Sequence, residues 1–165
     1  MTAAEFGVVL ARILPLLRRY AIALAGDVST ADDLVQDCLE RAWKSRGDLK
    51  DETALLSWLR TILHNVNIDR LRLRRRRPEE PESPDVMNET FSSGATRDGP
   101  APSMDLIRAM NGLTLEHRQV LLLVALEGLS YREVAEELGI PVGTVMSRLA
   151  RARERLRARL EAESR

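Results

Sequence analysis

The stretch "LSYREVAEELGIPVGTVMSRLARARERL", residues 129–156, predicts two helices joined by a short turn. Ser130 and Glu133 have the spacing of a capping box, in which each side chain accepts the other residue's backbone N–H at the start of a helix. Gly139 is suited to end that helix, because glycine adopts a left-handed conformation without strain. Pro141 lacks a backbone N–H and prevents simple continuation. The first helix is therefore short, and a second one follows at once.

The second helix is expected to begin near Gly143 or Thr144, and the small Ala135 in the first helix lets the two approach closely. A helix-turn-helix of this kind places its second helix in the DNA major groove. Its core side holds Val145, Leu149, Ala152 and Leu156. The positions expected to reach DNA are Thr144, Ser147, Arg148, Ala150, Arg151 and Arg155. Arg157 and Arg159 lie late on the helix, where solvation and phosphate contact are equally good interpretations.

Two further helices are expected just before this motif. Ser103 can cap a short one that runs through Ile107. Thr114 can cap another, which Gly128 ends. We therefore predict an all-helical C-terminal domain over residues 103–165.

The first 77 residues predict three more helices. In the first, apolar residues recur every three or four positions up to Leu24, the period of a helix with one buried face. Pro15 interrupts this pattern and should kink the helix or start its second half, and Gly26 should end it. A second helix is expected to open at Ser29 or Thr30, since either side chain can cap it.

The second helix has one apolar side and one polar side. The buried side is predicted to hold Ala31, Leu34, Val35, Cys38, Leu39 and Ala42. The opposite side presents Asp33, Gln36, Asp37, Glu40 and Lys44. The residues alone favour plain solvation of this polar face, with partner binding as the alternative.

The third helix follows a polar loop, residues 45–53, and ends in a dense basic run. It is predicted to bury Leu55, Trp58, Leu59, Ile62, Leu63 and Val66. Its outward side is expected to carry Ser57, Arg60, Thr61, His64 and Asn67. Asn65 and Asp69 flank the apolar stripe and suit a structural, hydrogen-bonded role. The run from Arg70 to Arg77 places six arginines in eight positions, which favours nucleic acid over a solvated tail because the charges repel unless neutralised.

The net charge of zero hides a strong segregation of charge. Residues 1–77 carry +4, residues 78–102 carry −5 and residues 103–165 carry +1. The acidic middle segment also holds five of the seven prolines and few large apolar residues, so it cannot bury enough surface to offset the entropy of ordering. We predict a flexible linker there.

Composition argues against several classes of protein. The apolar stretch near the start is broken by Arg12, Arg18 and Arg19, so neither a signal peptide nor a membrane span is expected, and the protein should be cytoplasmic. Cys38 is the only cysteine and suits a small buried residue. No nucleophile is paired with a base, and neither a phosphate loop nor a metal-ligand cluster occurs. We therefore expect no catalysis, cofactor or metal.

Three motifs together resemble one family. They are "ADDLVQDCLERAW" at 31–43, "WLRTILHNVNIDRLRLRRRR" at 58–77 and the opening stretch at 129–156. In this order, with a variable linker, they resemble the extracytoplasmic-function group of bacterial sigma factors, in the sigma-70 family. The resemblance implies an all-α fold of two domains, region 2 over residues 1–77 and region 4 over residues 103–165.

The resemblance also implies partners. The polar face of the second helix would dock on the β′ clamp helices of core RNA polymerase, and the β flap would be a further contact. The helix-turn-helix would read the −35 promoter element, although Met146 and Ala150 stand where some relatives have long polar or aromatic side chains. The −10 element and the melted strand would be contacted by Arg46, Asp48, Lys50, Arg60, His64, Asn67, Arg70 and Arg74. An anti-sigma factor and a stress-responsive regulon are also implied.

Two other functions are compatible with the same motifs. A sigma-like decoy would occupy an anti-sigma factor without binding DNA, but such a decoy should have lost its arginines, and this chain keeps them. An ordinary helix-turn-helix repressor would bind duplex DNA without polymerase. No dimerisation helix is evident in the sequence, which argues against a repressor.

Overall fold

A computed structural model describes residues 2–76 and 104–165, which form α-helices and two single-turn 3₁₀ helices, with no strand in either range. The predicted linker, Arg77 and the predicted cap Ser103 lie outside the described residues. The helices are α1 Ala3–Ala25, α2 Val28–Lys44, α3 Leu55–Arg76, α4 Met104–Asn111, α5 Leu115–Ala125, α6 Tyr131–Leu138 and α7 Val142–Glu163. The 3₁₀ turns Arg46–Asp48 and Glu52–Ala54 lie between α2 and α3. The predicted all-helical fold is confirmed.

Within the described residues the chain forms two compact units, the first from residues 2–19 with 32–76 and the second from residues 20–31 with 104–165. The core of the first unit is built from one stripe on each of its three helices, as the three-to-four-residue period predicts. Trp43 is partly exposed, with its ring 5.9 Å from the buried ring of Phe6. The fully buried stripe residues are Phe6, Leu17, Leu34, Cys38, Ala42, Leu55, Leu59 and Leu63.

Two details of the N-terminal helices differ from the sequence prediction. Helix α1 continues through Pro15 as one helix, so this proline does not begin a separate one. Helix α2 is capped by Asp27, whose side chain accepts the N–H of Thr30 at 2.7 Å, and the expected caps Ser29 and Thr30 lie within the helix. A carboxylate two or three residues earlier accepts the same kind of backbone hydrogen bond as a hydroxyl cap. Gly26 ends α1 as predicted, with φ of +88°.

In the second unit, α7 packs against α4, α5 and α6. The capping box of α6 is confirmed, since Ser130 Oγ accepts the N–H of Glu133 at 3.2 Å and Glu133 Oε2 accepts the N–H of Ser130 at 2.7 Å. Gly139 ends α6 in the left-handed conformation, with φ of +65°. Helix α7 then begins at Val142, one residue before the earlier of its two expected starts, with Pro141 at the N-cap. The predicted helix-turn-helix is present.

The guanidinium of Arg118 joins several backbone segments of this second unit. It donates to the carbonyl oxygens of Leu24 at 2.6 Å, Met110 at 3.1 Å, and Asn111 and Leu113 at 3.2 Å each. Burial lowers the pKa of Arg118 from its ordinary value. Carbonyl oxygens at helix C-termini carry partial negative charge, which compensates for the loss of water around the guanidinium.

Candidate functional surfaces

The polar side of α2 forms a continuous exposed surface, here called the acidic ridge and defined as Asp33, Gln36, Asp37 and Glu40. Three of these side chains are exposed and Asp37 is half-buried, while Lys44 is exposed at the end of the same face. The opposite side of α2 is buried through Leu34, Val35, Cys38 and Ala42. The sequence therefore predicted correctly which side of α2 faces solvent.

The end of α3 meets the acidic ridge through an arginine. The guanidinium of Arg70 lies 3.6 Å from a carboxylate oxygen of Asp33 and 3.5 Å from one of Asp37. The neighbouring Asp69 pairs with Arg41 of α2 at 2.9 Å. In the sequence, Arg70 and the ridge belong to two separate predicted surfaces. The structure brings them together.

The loop between α2 and α3 is ordered by its own short contacts. Arg46 donates to the carbonyl oxygen of Trp43 at 2.6 Å, and its guanidinium lies 4.9 Å from the centre of the Trp43 ring, a cation–π arrangement. Asp51 accepts the N–H of Thr53 at 2.9 Å, and this hydrogen bond lowers the pKa of Asp51. The three predicted contact residues in this loop, Arg46, Asp48 and Lys50, are all exposed.

Three side chains expected on the outward side of α3 are instead buried, so that expectation was wrong. Arg60 is 4 % exposed, His64 is 5 % exposed and Asn67 is 6 % exposed. Each follows a buried residue of the apolar stripe by one position, at Leu59, Leu63 and Val66. The covered sector of α3 is therefore wider than its apolar stripe. Of the other two expected outward residues, Thr61 is exposed and Ser57 is half-buried.

Burial has a direct effect on the protonation of His64. Loss of water and, to a smaller extent, the nearby positive charge of Arg60 together lower the pKa of His64 to about 4. A neutral imidazole is therefore the form at neutral pH. In the folded chain described here, these buried side chains do not present a surface to a nucleic-acid strand.

The face of α7 that a helix-turn-helix presents to DNA carries both polar and apolar side chains. Ser147, Ala150, Arg151 and Arg155 are exposed, and Thr144 and Arg148 are half-buried. Two apolar side chains lie on the early turns of the same helix, Val142 at 41 % and Met146 at 53 % exposure. Such side chains suit contact with a thymine methyl group. Val145, Leu149 and Ala152 are buried as predicted, while Leu156 is only half-buried.

Two residues at the start of α5 interact with arginines of this face, and the sequence pattern did not indicate them. Glu116 lies 3.5 Å from the guanidinium of Arg148. His117 is 8 % exposed, and its pKa is lowered by burial and by the positive charges of Arg155, Arg151 and Arg148. The only available signal was their place in the first turn after the cap Thr114, whose hydroxyl accepts the N–H of His117 at 3.4 Å.

Cys38 is buried, its Sγ donates to the carbonyl oxygen of Leu59 at 3.4 Å, and burial raises its pKa to about 12. A thiol in this state is a packing residue. Within residues 2–76 and 104–165, His, Cys, Asp and Glu side chains form no group of three or more that could hold a metal ion. None of the helices in those ranges combines the length and apolar character that crossing a membrane requires.

Comparison with known families assigns both parts of the chain. Residues 103–156 match the model "Sigma-70, region 4", and residues 10–64 match the model "Sigma2 domain of PhyR". The chain is 36% identical over 146 residues to the extracytoplasmic-function RNA polymerase sigma factor EcfG of Rhodopseudomonas palustris strain TIE-1, covering 88% of this chain and 80% of that protein.

Solved structures share the fold. The sigma factor RpoE from Bartonella quintana, solved in complex with the anti-sigma factor NepR, superposes with a TM-score of 0.75 at 34% identity, covering 95% of this chain and 97% of that chain. The anti-anti-sigma factor PhyR of the same organism, solved in complex with NepR, gives a TM-score of 0.59 at 17% identity, covering 92% of this chain and 49% of that one. The second likeness concerns the fold alone.

Proposed function

Since this chain belongs to the extracytoplasmic-function RNA polymerase sigma factors of the sigma-70 family, we propose that it binds core polymerase through the acidic ridge and contacts both promoter elements. The family role is transcription initiation. We propose in addition which surfaces of this chain bind core polymerase and promoter DNA. Its strongest support is the helix-turn-helix, because the capping box, the left-handed Gly139 and the buried Val145 together fix the exposed face of α7.

The −35 element is assigned to α7. Ser147, Arg151 and Arg155 are exposed on one face and can donate to base edges and phosphates. Arg148 is half-buried and pairs with Glu116, so it is held at the edge of this face. Thr144 and the first turn of α7 suit a phosphate, since helix N-termini attract anions.

The −10 element is assigned to the loop before α3 and to the exposed end of α3. Arg46, Asp48 and Lys50 form the loop part, and Arg70 and Arg74 form the helix part. Capturing an unstacked base costs a few kcal/mol, and backbone contacts from arginines can offset this cost. Arg60, His64 and Asn67 would reach a strand only after a rearrangement of α3, so in this proposal they support the helix.

The acidic ridge is assigned to core polymerase. Three of its four side chains are exposed, three of the four are carboxylates within two turns of helix, and none is apolar. Such a surface suits a basic partner surface through electrostatic complementarity. The β flap is a proposed second contact on the polymerase.

An anti-sigma factor is a proposed regulator. The structurally similar RpoE of Bartonella quintana was solved with the anti-sigma factor NepR. A stress-responsive regulon is consistent with such regulation. Co-purification of this chain with a small protein encoded in its own genome would support the proposal, and release of that protein should restore transcription.

A second candidate function is a decoy that occupies an anti-sigma factor. The observation that favours it is the match of residues 10–64 to the sigma2 domain of PhyR, because PhyR of Bartonella quintana is an anti-anti-sigma factor. The exposed Arg151 and Arg155 on α7 argue against it, since a decoy has no need of a DNA-binding face.

Run-off transcription distinguishes the two functions. Core polymerase alone and core polymerase with the purified chain are each given genomic promoter fragments. A sigma factor produces specific transcripts only when the chain is added, and Arg151→Ala reduces them. A decoy produces no transcript but relieves inhibition of another sigma factor. Specific duplex binding without polymerase, together with no transcript, would instead indicate a repressor.

A further inference from the structure

Arg70 lies between two surfaces to which the proposed function gives different partners. It belongs to the basic end of α3, which is assigned to DNA. Its guanidinium nevertheless contacts carboxylates of the acidic ridge, at 3.6 Å from Asp33 and 3.5 Å from Asp37. Arg70 therefore belongs to the basic end of α3 and at the same time pairs with the acidic ridge.

The geometry around Arg70 favours this arrangement in the free chain. Asp33 and Asp37 lie four residues apart on the same face of α2, where like charges repel. Arg70 lies within ion-pair distance of both and reduces this repulsion. The pair between Arg41 and Asp69, at 2.9 Å, holds the adjacent residue of α3 against α2. The side chain of Arg70 is 34% exposed, so it is partly withdrawn from solvent while it makes these contacts.

We infer that the acidic ridge holds Arg70 in the free chain, and that occupation of the ridge by a basic partner releases Arg70 to a DNA phosphate. The two binding events are then coupled, because each removes a competitor of the other. A phosphate that takes Arg70 frees two carboxylates for a basic partner. Basic side chains that take the carboxylates free Arg70 for phosphate. This inference rests on the proposed function for the identity of the basic partner, which is core polymerase.

The expected size of the coupling is modest. Exposed ion pairs each contribute little, so breaking two of them changes affinity by about threefold to tenfold. The effect should weaken as salt rises, because exposed charges are screened. A small coupling of this kind makes the free chain a weaker DNA binder than the polymerase complex without preventing either contact.

The first test uses the full chain without polymerase. Fluorescence anisotropy at low salt measures its binding to a labelled single-stranded oligonucleotide. The variant Asp33→Asn with Asp37→Asn should bind about threefold to tenfold more tightly than wild type, with a salt slope steeper by roughly one released counterion. The matched control, Glu161→Gln with Glu163→Gln, removes the same number of charges from exposed sites near the end of α7 and should change affinity by less than about twofold.

A third variant tests whether Arg70 is the side chain that causes the tighter DNA binding. Adding Arg70→Gln to the Asp33→Asn, Asp37→Asn variant should return the affinity to about the wild-type value. Equal tightening by the ridge variant and by its control would overturn the inference, because net charge would then be the cause. A gain that persists without Arg70 would overturn it as well.

The second test compares the free chain with the polymerase complex. Arg70→Gln should weaken promoter binding by the complex several times more than it weakens DNA binding by the free chain, where Arg70 is already occupied. Equal losses in the two settings would contradict the coupling. A chain that fails to direct core polymerase at all would refute the proposed function, while the free-chain measurement would still report on Arg70.

Discussion

Replacing Leu149 by alanine tests whether α7 is held in place by its buried stripe. Leu149 is 2% exposed and lies between Val145 and Ala152, which are fully buried on the same side of α7. Removing its branched end loses the transfer free energy of the deleted atoms and leaves a cavity, and such substitutions cost about 2–5 kcal/mol. Because domains of this size are stable by only about 5–15 kcal/mol, the loss is a large share of the total.

The measurement is denaturation of the full chain by heat and by urea, followed through helical circular dichroism. A loss of about 3 kcal/mol corresponds to a fall of about 10–20 °C in the midpoint of the transition that includes α7. The matched control is Leu160→Ala, the same chemical change on the same helix at a residue that is 37% exposed. This control should lower the free energy of unfolding by about 1 kcal/mol or less.

DNA binding supplies the functional readout for the same pair. Leu149→Ala should lose binding to −35 duplexes at temperatures where Leu160→Ala still binds, because the exposed face of α7 depends on the docking of its buried one. Equal destabilisation by the two substitutions would mean that burial of this stripe does not decide the stability of the helix-turn-helix.

The cap of α6, the exposed face of α7 and the buried His64 can each be tested by substitution. Ser130→Ala removes one half of the capping box and should lower stability by about 1 kcal/mol, which urea denaturation will show; no measurable loss would contradict the cap. Arg151→Ala should weaken binding to promoter duplexes by about 1–3 kcal/mol if it contacts bases, measured by anisotropy against Arg165→Ala, and equal small effects would exclude such a contact. The pKa of His64 is about 4 in the folded chain and about 6.5 in the unfolded chain. Between these two pH values the unfolded chain binds a proton that the folded chain does not. The free energy of unfolding should therefore fall by on the order of 2 kcal/mol as the pH is lowered from about 7.5 to about 5. His64→Gln should remove most of this dependence and His117→Gln much less; a slope unchanged by His64→Gln would contradict the assignment.

The features that the sequence predicted well are those fixed within a few residues. The capping box of Ser130 and Glu133 and the left-handed Gly139 depend only on local hydrogen bonding and on the absence of a Cβ atom. The cap of α2 shows the limit of this reasoning, because Asp27 lies close to Ser29 and Thr30 and all three side chains can cap. Local chemistry then allows several helix starts that differ by one to three residues.

The features that the sequence did not predict depend on how helices pack. Arg60, His64 and Asn67 lie beside the apolar stripe of α3, and only the assembled unit decides whether that flank is covered. The contacts of Arg70 with Asp33 and of Arg148 with Glu116 join different helices, so periodicity along one helix gives no sign of them. For the proposed DNA-binding and polymerase-binding surfaces, composition and spacing indicated which residue types are present. The packing of the helices decided which of these side chains are exposed and can contact a partner.

Binding to core RNA polymerase is the most direct test of the account. Size-exclusion chromatography of purified core enzyme is run with the wild-type chain, with Asp33→Lys combined with Glu40→Lys, and with a control in which Glu161 and Glu163 near the end of α7 are both replaced by Lys. Co-elution is expected for the wild type and for the control, and loss of co-elution is expected for the ridge variant. Failure of the wild-type chain to co-elute with core enzyme, or undiminished co-elution of the ridge variant, would contradict it.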